Sequence, residues 1–255
     1  MPIRDVLFVA LLFTQFAAAQ TTLLTQKELC KRFMPSVVRI DAAADKVATG
    51  FIVTADGWIL TVAHVLFDDN GEPIKTITVH LSDGSLALAK VFLEKESVAR
   101  DFALLKVDKA GLAPLELGAE SEVSEGSDIA IIGYPFSAGT QDKILPTKFC
   151  LAGMVAATEI VAKNGVNNVD VIYFQGPAVK GLSGAPIISR DSGHVVAIQT
   201  AKLAGIGDDL DRARKSLKEG PAPGVTTTFQ IGGTDVGRAL IGIVETLDRH
   251  LANGL

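Results

Sequence analysis

The sequence predicts an all-β fold in two halves, followed by one C-terminal helix. Short apolar runs separated by turn signals occupy residues 35 to 230, the pattern of a barrel or a sandwich. A polar stretch without apolar period, Glu120 to Ser127, divides those runs into two parts of similar size. A strong apolar stripe at helical spacing occurs once, near the end of the chain.

The elements follow in order. Val37 to Ile40 alternates weakly. Ala48 to Thr54 and Trp58 to Val62 flank Ala55-Asp56-Gly57, a hairpin-type turn. Thr76 to Leu81 and Leu86 to Phe92 flank a second, Ser82-Asp83-Gly84, and Phe102 to Val107 ends the first half. Asp128 to Ile132, Phe149 to Ile160 and Val169 to Phe174 read as strands of the second half. Ile187-Ile188 and His194 to Thr200 flank a third hairpin signal, Asp191-Ser192-Gly193. Gly205 to Gly224, rich in Gly, Pro and charge, reads as a long surface loop. From Thr234 to Leu251 the apolar stripe is Val236, Leu240, Ile243, Val244, Leu247 and Leu251. Thr234 suits the N-cap and Asp235 the positive end of the helix dipole. This helix is expected to pack on the β core.

The first nineteen residues read as a secretory signal. Arg4 precedes an apolar run from Val6 to Phe13, and Ala17-Ala18-Ala19 supplies the small residues of a cleavage site before Gln20. The run is broken by Thr14 and Gln15 and falls short of the ~20 residues a spanning helix needs. The expected organisation is a signal peptide at 1–19, an N-terminal β domain at 20–124, a second at 125–233 and the helix at 234–255. The expected location is secreted or periplasmic, with no integral membrane segment after signal cleavage. Cys30 and Cys150 are the two cysteines. In an oxidising compartment they suggest one disulfide closing a loop of about 120 residues; two buried thiols are the alternative.

Composition narrows the function. Hydrophobic residues at 48% support a sizeable core, and charged residues at 21% argue against a disordered chain. The net charge is −5, and the densest basic stretch, Arg212 to Lys218, is interleaved with acidic residues. No nucleic-acid partner is expected. No His-Glu-x-x-His spacing occurs, so neither a metal nor another cofactor is expected.

Three motifs carry chemistry. Gly181-Leu182-Ser183-Gly184-Ala185-Pro186 places a serine between glycines, where a tight turn can aim backbone N–H groups at one point. Thr61-Val62-Ala63-His64 ends a strand with a histidine, a side chain suited to taking a proton near neutral pH. Asp101-Phe102-Ala103-Leu104-Leu105-Lys106 heads a strand with a carboxylate that can fix an imidazole tautomer. Singly, each has an ordinary reading: a plain loop, a surface histidine, a turn cap. Together they stand in the order His, Asp, Ser, base and acid in the first half and nucleophile in the second. The α/β-hydrolase order differs, and its elbow wants a glycine where Ala185 stands.

With Gly133-Tyr134-Pro135 added, these motifs make the chain resemble the trypsin-like serine proteases of the chymotrypsin fold, in particular the HtrA-like branch, over residues 35–235. The resemblance implies two six-stranded antiparallel β-barrels with the active site between them, plus the C-terminal α-helix. It implies a serine endopeptidase acting on protein or peptide substrates. His64 would be the general base, Asp101 the orienting acid and Ser183 the nucleophile, with Gly181 and Ser183 as the oxyanion hole. Pro177, Ala178, Gln199, Thr200 and Ala201 would bind substrate, with small or medium apolar side chains favoured before the scissile bond.

Three positions depart from the pattern. Leu182 replaces the aspartate with which digestive members capture a new N-terminus. Ala185 replaces a glycine. The chain ends at Leu255, so no PDZ domain is expected. The alternatives are a catalytically impaired binding module on the same fold and a serine esterase.

Overall fold

A computed structural model describes residues 24–43, 46–94, 98, 100–135, 147–163, 166–176, 181–202 and 228–231. A short helix, α1 (Gln26–Phe33), leads through a 3₁₀ turn into β1 (Val37–Ala43). Then come β2 (Lys46–Ile52), β3 (Trp58–Thr61), β4 (Thr76–His80), β5 (Leu86–Phe92) and β6 (Ala103–Val107). These six strands close into an antiparallel barrel in the order β1-β2-β3-β6-β5-β4, with β4 returning to β1 through Ile40↔Val79.

The second half begins at β7 (Asp128–Gly133) and continues with β8 (Phe149–Lys163), β9 (Val166–Gln175), β10 (Pro186–Ser189) and β11 (Val195–Lys202). These five curl into an antiparallel sheet ordered β11-β10-β7-β8-β9. The short β12 (Thr228–Ile231) pairs with both β9 and β11 and closes it.

Burial explains why several strands read as continuous apolar runs. Successive side chains of a strand point to opposite faces. In β3, β6, β7 and β10 nearly every side chain on both faces is buried. Val38, Ile40, Ile59 and Leu105 pack inside the first barrel, whereas Val37, Leu60, Phe102 and Leu104 join a cluster outside it. Ile129, Ile131 and Ile187 fill the second barrel, whereas Ala130, Ile132 and Ile188 join that same outside cluster. The shared cluster is the seam between the barrels. Burying one such aliphatic side chain stabilises by about 1.5–3 kcal/mol.

Two elements differ from the sequence reading. The described helix is α1, near the N-terminus. Thr25 caps it in a reciprocal capping box with Glu28, Lys31 and Arg32 sit in the last turn, and Leu29 and Phe33 are buried in the seam. β12 was not expected either. The helix expected at Thr234 to Leu251, the signal at 1–19 and the loop at Gly205 to Gly224 lie outside the described residues. Cys30 of α1 and Cys150 of β8 form a disulfide, so the alternative of two free thiols falls.

Candidate active site

Strand register brings His64 and Asp101 together. β3 and β6 are neighbours and pair Thr61 with Ala103, so the chain just after one strand meets the chain just before the other. His64 opens a 3₁₀ turn, His64–Leu66, pinned by buried Ala63 and Leu66 on either side. The imidazole between those anchors is 46% exposed.

Asp101 lies between buried Arg100 and Phe102, and its amide donates to Val98 O at 3.1 Å. Its φ is +69°, in the left-handed region that aspartate tolerates better than most residues, at a cost on the order of 1 kcal/mol. That turn aims the carboxylate back at residue 64. Asp101 Oδ1 accepts from the His64 backbone N–H at 3.0 Å, and both carboxylate oxygens lie 3.0 Å from Nδ1. With Nδ1 donating to the carboxylate, the neutral ring carries its lone pair on Nε2, the other nitrogen.

Ser183 is partly buried in the loop before β10. Three successive peptide units of that loop are fixed. Thr49 Oγ1 donates to Gly181 O at 2.7 Å, Ala185 N donates to Leu182 O at 2.9 Å, and Thr49 N donates to Ser183 O at 2.9 Å. Gly184 N then donates to Gln199 O at 2.7 Å. Gly184 has φ +85°, and a methyl there would strike both Thr49 O and Thr61 Oγ1. Among the described residues neither the Gly181 nor the Ser183 amide donates a backbone hydrogen bond.

The loop that carries Ser183 therefore docks on β2 and β3, the latter being the strand that leads into His64. Thr61 Oγ1 donates to Thr49 O at 2.7 Å, and Tyr134 N donates to Thr49 Oγ1 at 3.0 Å. Thr49 and Thr61 were not singled out in the sequence. The signal was present: each is a polar residue in a run whose neighbours are buried on both faces. No hydrogen bond joins His64 to Ser183 among the described residues; in a chain without substrate such bonds are often long.

Leu182 and Ala185 are fully buried in the second barrel's core. Gln199 and Thr200 are buried too, and the Gln199 backbone N–H and C=O bond to Ala185 O and Gly184 N beside Ser183. Ala201 follows in β11, while Pro177 and Ala178 lie outside the described residues. Among the described residues, no group of three or more His, Cys, Asp or Glu side chains could hold a metal ion.

Beside the disulfide, a cavity of about 670 Å³ is lined by Lys31, Arg39, His80, Tyr134 and Lys148 among others. Lys148 Nζ donates to Met34 O and Ser82 Oγ and lies 5.3 Å above the Tyr134 ring. Burial pushes Lys148 down to about 8 and Tyr134 up to about 12.

The family model described as trypsin-like peptidase domain matches residues 48–198. Serine protease HTRA1 of Xenopus laevis is 35% identical over 195 residues, covering 74% of this chain and 39% of that protein. Serine protease HTRA1B of Danio rerio is 31% identical over 243 residues, covering 88% and 47%. The chain thus spans less than half the length of these curated relatives. Among solved structures, an HtrA-type protease AlgW with a tripeptide superposes with a TM-score of 0.65 at 20% identity, covering 88% of this chain and 64% of that one. That likeness shows an all-β, chymotrypsin-like fold.

Proposed function

The chain belongs to the trypsin-like peptidase domain family, with HtrA serine proteases among its relatives, and from that premise we propose that it is a serine endopeptidase acting through an acyl-enzyme on Ser183. The observation that carries the reading is the His64–Asp101 pair at 3.0 Å, beside a nucleophile loop hydrogen-bonded to the adjoining strand.

In the proposed reaction Ser183 Oγ attacks the scissile carbonyl carbon and its proton passes to His64 Nε2. The carbonyl π electrons move to oxygen, which the Gly181 and Ser183 N–H groups stabilise. The intermediate collapses, the C–N bond breaks, and His64 returns the proton to the departing amine. Water then repeats the sequence on the acyl ester and frees Ser183. Asp101 accepts from Nδ1–H throughout and so keeps the lone pair on Nε2. The substrates are proteins or peptides. Pro177 and Ala178 carry no carboxylate, which favours small or medium apolar side chains before the cleaved bond.

Export to a secreted or periplasmic location is part of the proposal. It is supported by Arg4, the apolar run to Phe13 and the three alanines, and by a disulfide of the kind oxidising compartments favour.

The test is labelling with a phosphonate probe, site mapping by mass spectrometry, and cleavage of a quenched protein substrate. Labelling on Ser183, with cleavage lost by about 10⁴-fold or more in Ser183→Ala, is the expected result. A folded chain that neither labels nor cleaves would return the reading to a binding module. Turnover of esters without any protein cleavage would favour the esterase. A peptide library showing Arg or Lys preference would overturn the pocket assignment alone.

A further inference from the structure

We propose that Thr49 is a positioning residue whose hydroxyl fixes the orientation of the oxyanion-binding loop. The inference rests on the endopeptidase reading above and adds to it a residue outside the expected triad and oxyanion hole.

Thr49 is fully buried, yet its N–H, its C=O and its hydroxyl each make at least one hydrogen bond outside the strand ladder. A buried polar side chain is retained at a cost unless it is satisfied. Here both functions of one hydroxyl are used. Tyr134 N–H occupies an oxygen lone pair at 3.0 Å, which leaves the hydroxyl proton to point at Gly181 O at 2.7 Å. That contact stops the Gly181–Leu182 peptide unit from rotating. The next unit is held by Ala185 N and the one after by Thr49 N.

Gly181 itself has φ +93°, and glycine resists rotation about its own bonds less than any other residue. The amide expected to bind the oxyanion therefore sits beside the most easily turned bonds of the loop. The Thr49 hydroxyl restrains them from the carbonyl side of the same residue. The loop's hold on the oxyanion matters only once charge has developed on the substrate oxygen, so the Thr49 hydroxyl acts on turnover and not on substrate binding.

The test compares Thr49→Val, which removes the hydroxyl and keeps the shape, with Thr49→Ser, which keeps the hydroxyl. Both are made in the full chain and checked for folding by circular dichroism. Thr49→Val is expected to lower kcat by about 10-fold or more with KM within about twofold, and to weaken binding of a peptide boronate by the same factor as kcat. Thr49→Ser should restore kcat to within about threefold of wild type. Wild-type kcat in folded Thr49→Val overturns the inference while leaving the protease reading intact. So does a Thr49→Ser protein that folds but loses kcat, whatever becomes of the valine variant. A wild-type chain with no turnover, or turnover unchanged by Ser183→Ala, defeats the protease reading and this inference with it.

Discussion

Asp101 receives two hydrogen bonds from His64, one from the backbone amide and one from ring Nδ1, each 3.0 Å long. The first holds the carboxylate in place whatever the ring does. The second sets the tautomer. Asp101→Asn separates the two. Asparagine is among the few residues at ease with φ +69°, so the turn survives. Its amide can donate to Nδ1, which moves the ring proton to Nε2 and removes the base. The expected outcome is a kcat about 10⁴-fold lower with KM nearly unchanged, read with a quenched peptide. Activity within tenfold of wild type would mean that Asp101 only shapes the turn.

Leu182, beside Ser183, points into the second barrel and not toward solvent. Its side chain is buried with Ile131, Phe174 and Ile187 in the second barrel, and its Cδ2 would lie 2.8 Å from a Cβ on Gly133. A carboxylate here would have no route to a new N-terminus without leaving the core. Leu182→Asp should therefore destabilise by about 3–5 kcal/mol, the scale of an uncompensated buried charge. Because the folded state would favour the protonated acid, the loss should be smaller at pH 5 than at pH 8. Urea unfolding at both values checks it. A neutral effect would mean that the side chain escapes to solvent.

The disulfide spans 120 residues and ties α1 to the first residues of β8. For a loop of that length the chain-entropy model gives about 4–5 kcal/mol. Replacing both Cys30 and Cys150 by serine is expected to lower the stability by that amount, measured as a shift in urea midpoint at unchanged slope. A shift below about 1 kcal/mol would show that the packing of Leu29 and Phe33 holds the helix unaided.

What could be read from the chain followed the physics of each element. Leu86 to Phe92 matched β5 to the residue, because a turn signal precedes it and its side chains alternate in burial. β8 and β9 extend beyond the expected limits, pairing Lys163 with Val166; the Asn164-Gly165 dipeptide between those positions in the sequence is of the kind that favours hairpins. The helix α1 is eight residues long with two buried apolar side chains, too few for a periodic stripe, although Thr25 and Glu28 spell a capping box. β12 is only four residues long, too short a run to stand out although Gly232-Gly233 follows it directly. Its place depends on the gap left between β9 and β11, which is tertiary information. At the candidate site, His64 and Asp101 could be paired by motif order. Thr49 could not, since its role exists only where the two barrels touch.

Lys148 makes stability depend on pH in a way that can be signed in advance. Burial lowers it from about 10.5 in the unfolded chain to about 8 in the folded one. Between those values the unfolded chain holds the proton and the folded chain has lost it, so stability rises with pH across that interval. The groups that share its cavity set the upper limit. Tyr134 is raised to about 12, as is Tyr173 elsewhere, and a raised tyrosine contributes stability that is lost as pH climbs above 10. Arg39 stays charged through its bond to Asp41, and Lys31 is exposed. The clean window is thus pH 8 to 10. The urea midpoint of the wild-type chain should climb across it relative to that of Lys148→Met, which keeps the apolar stem and removes the ammonium. Parallel pH dependence in the two proteins would show that Lys148 reaches solvent and titrates there as an ordinary lysine.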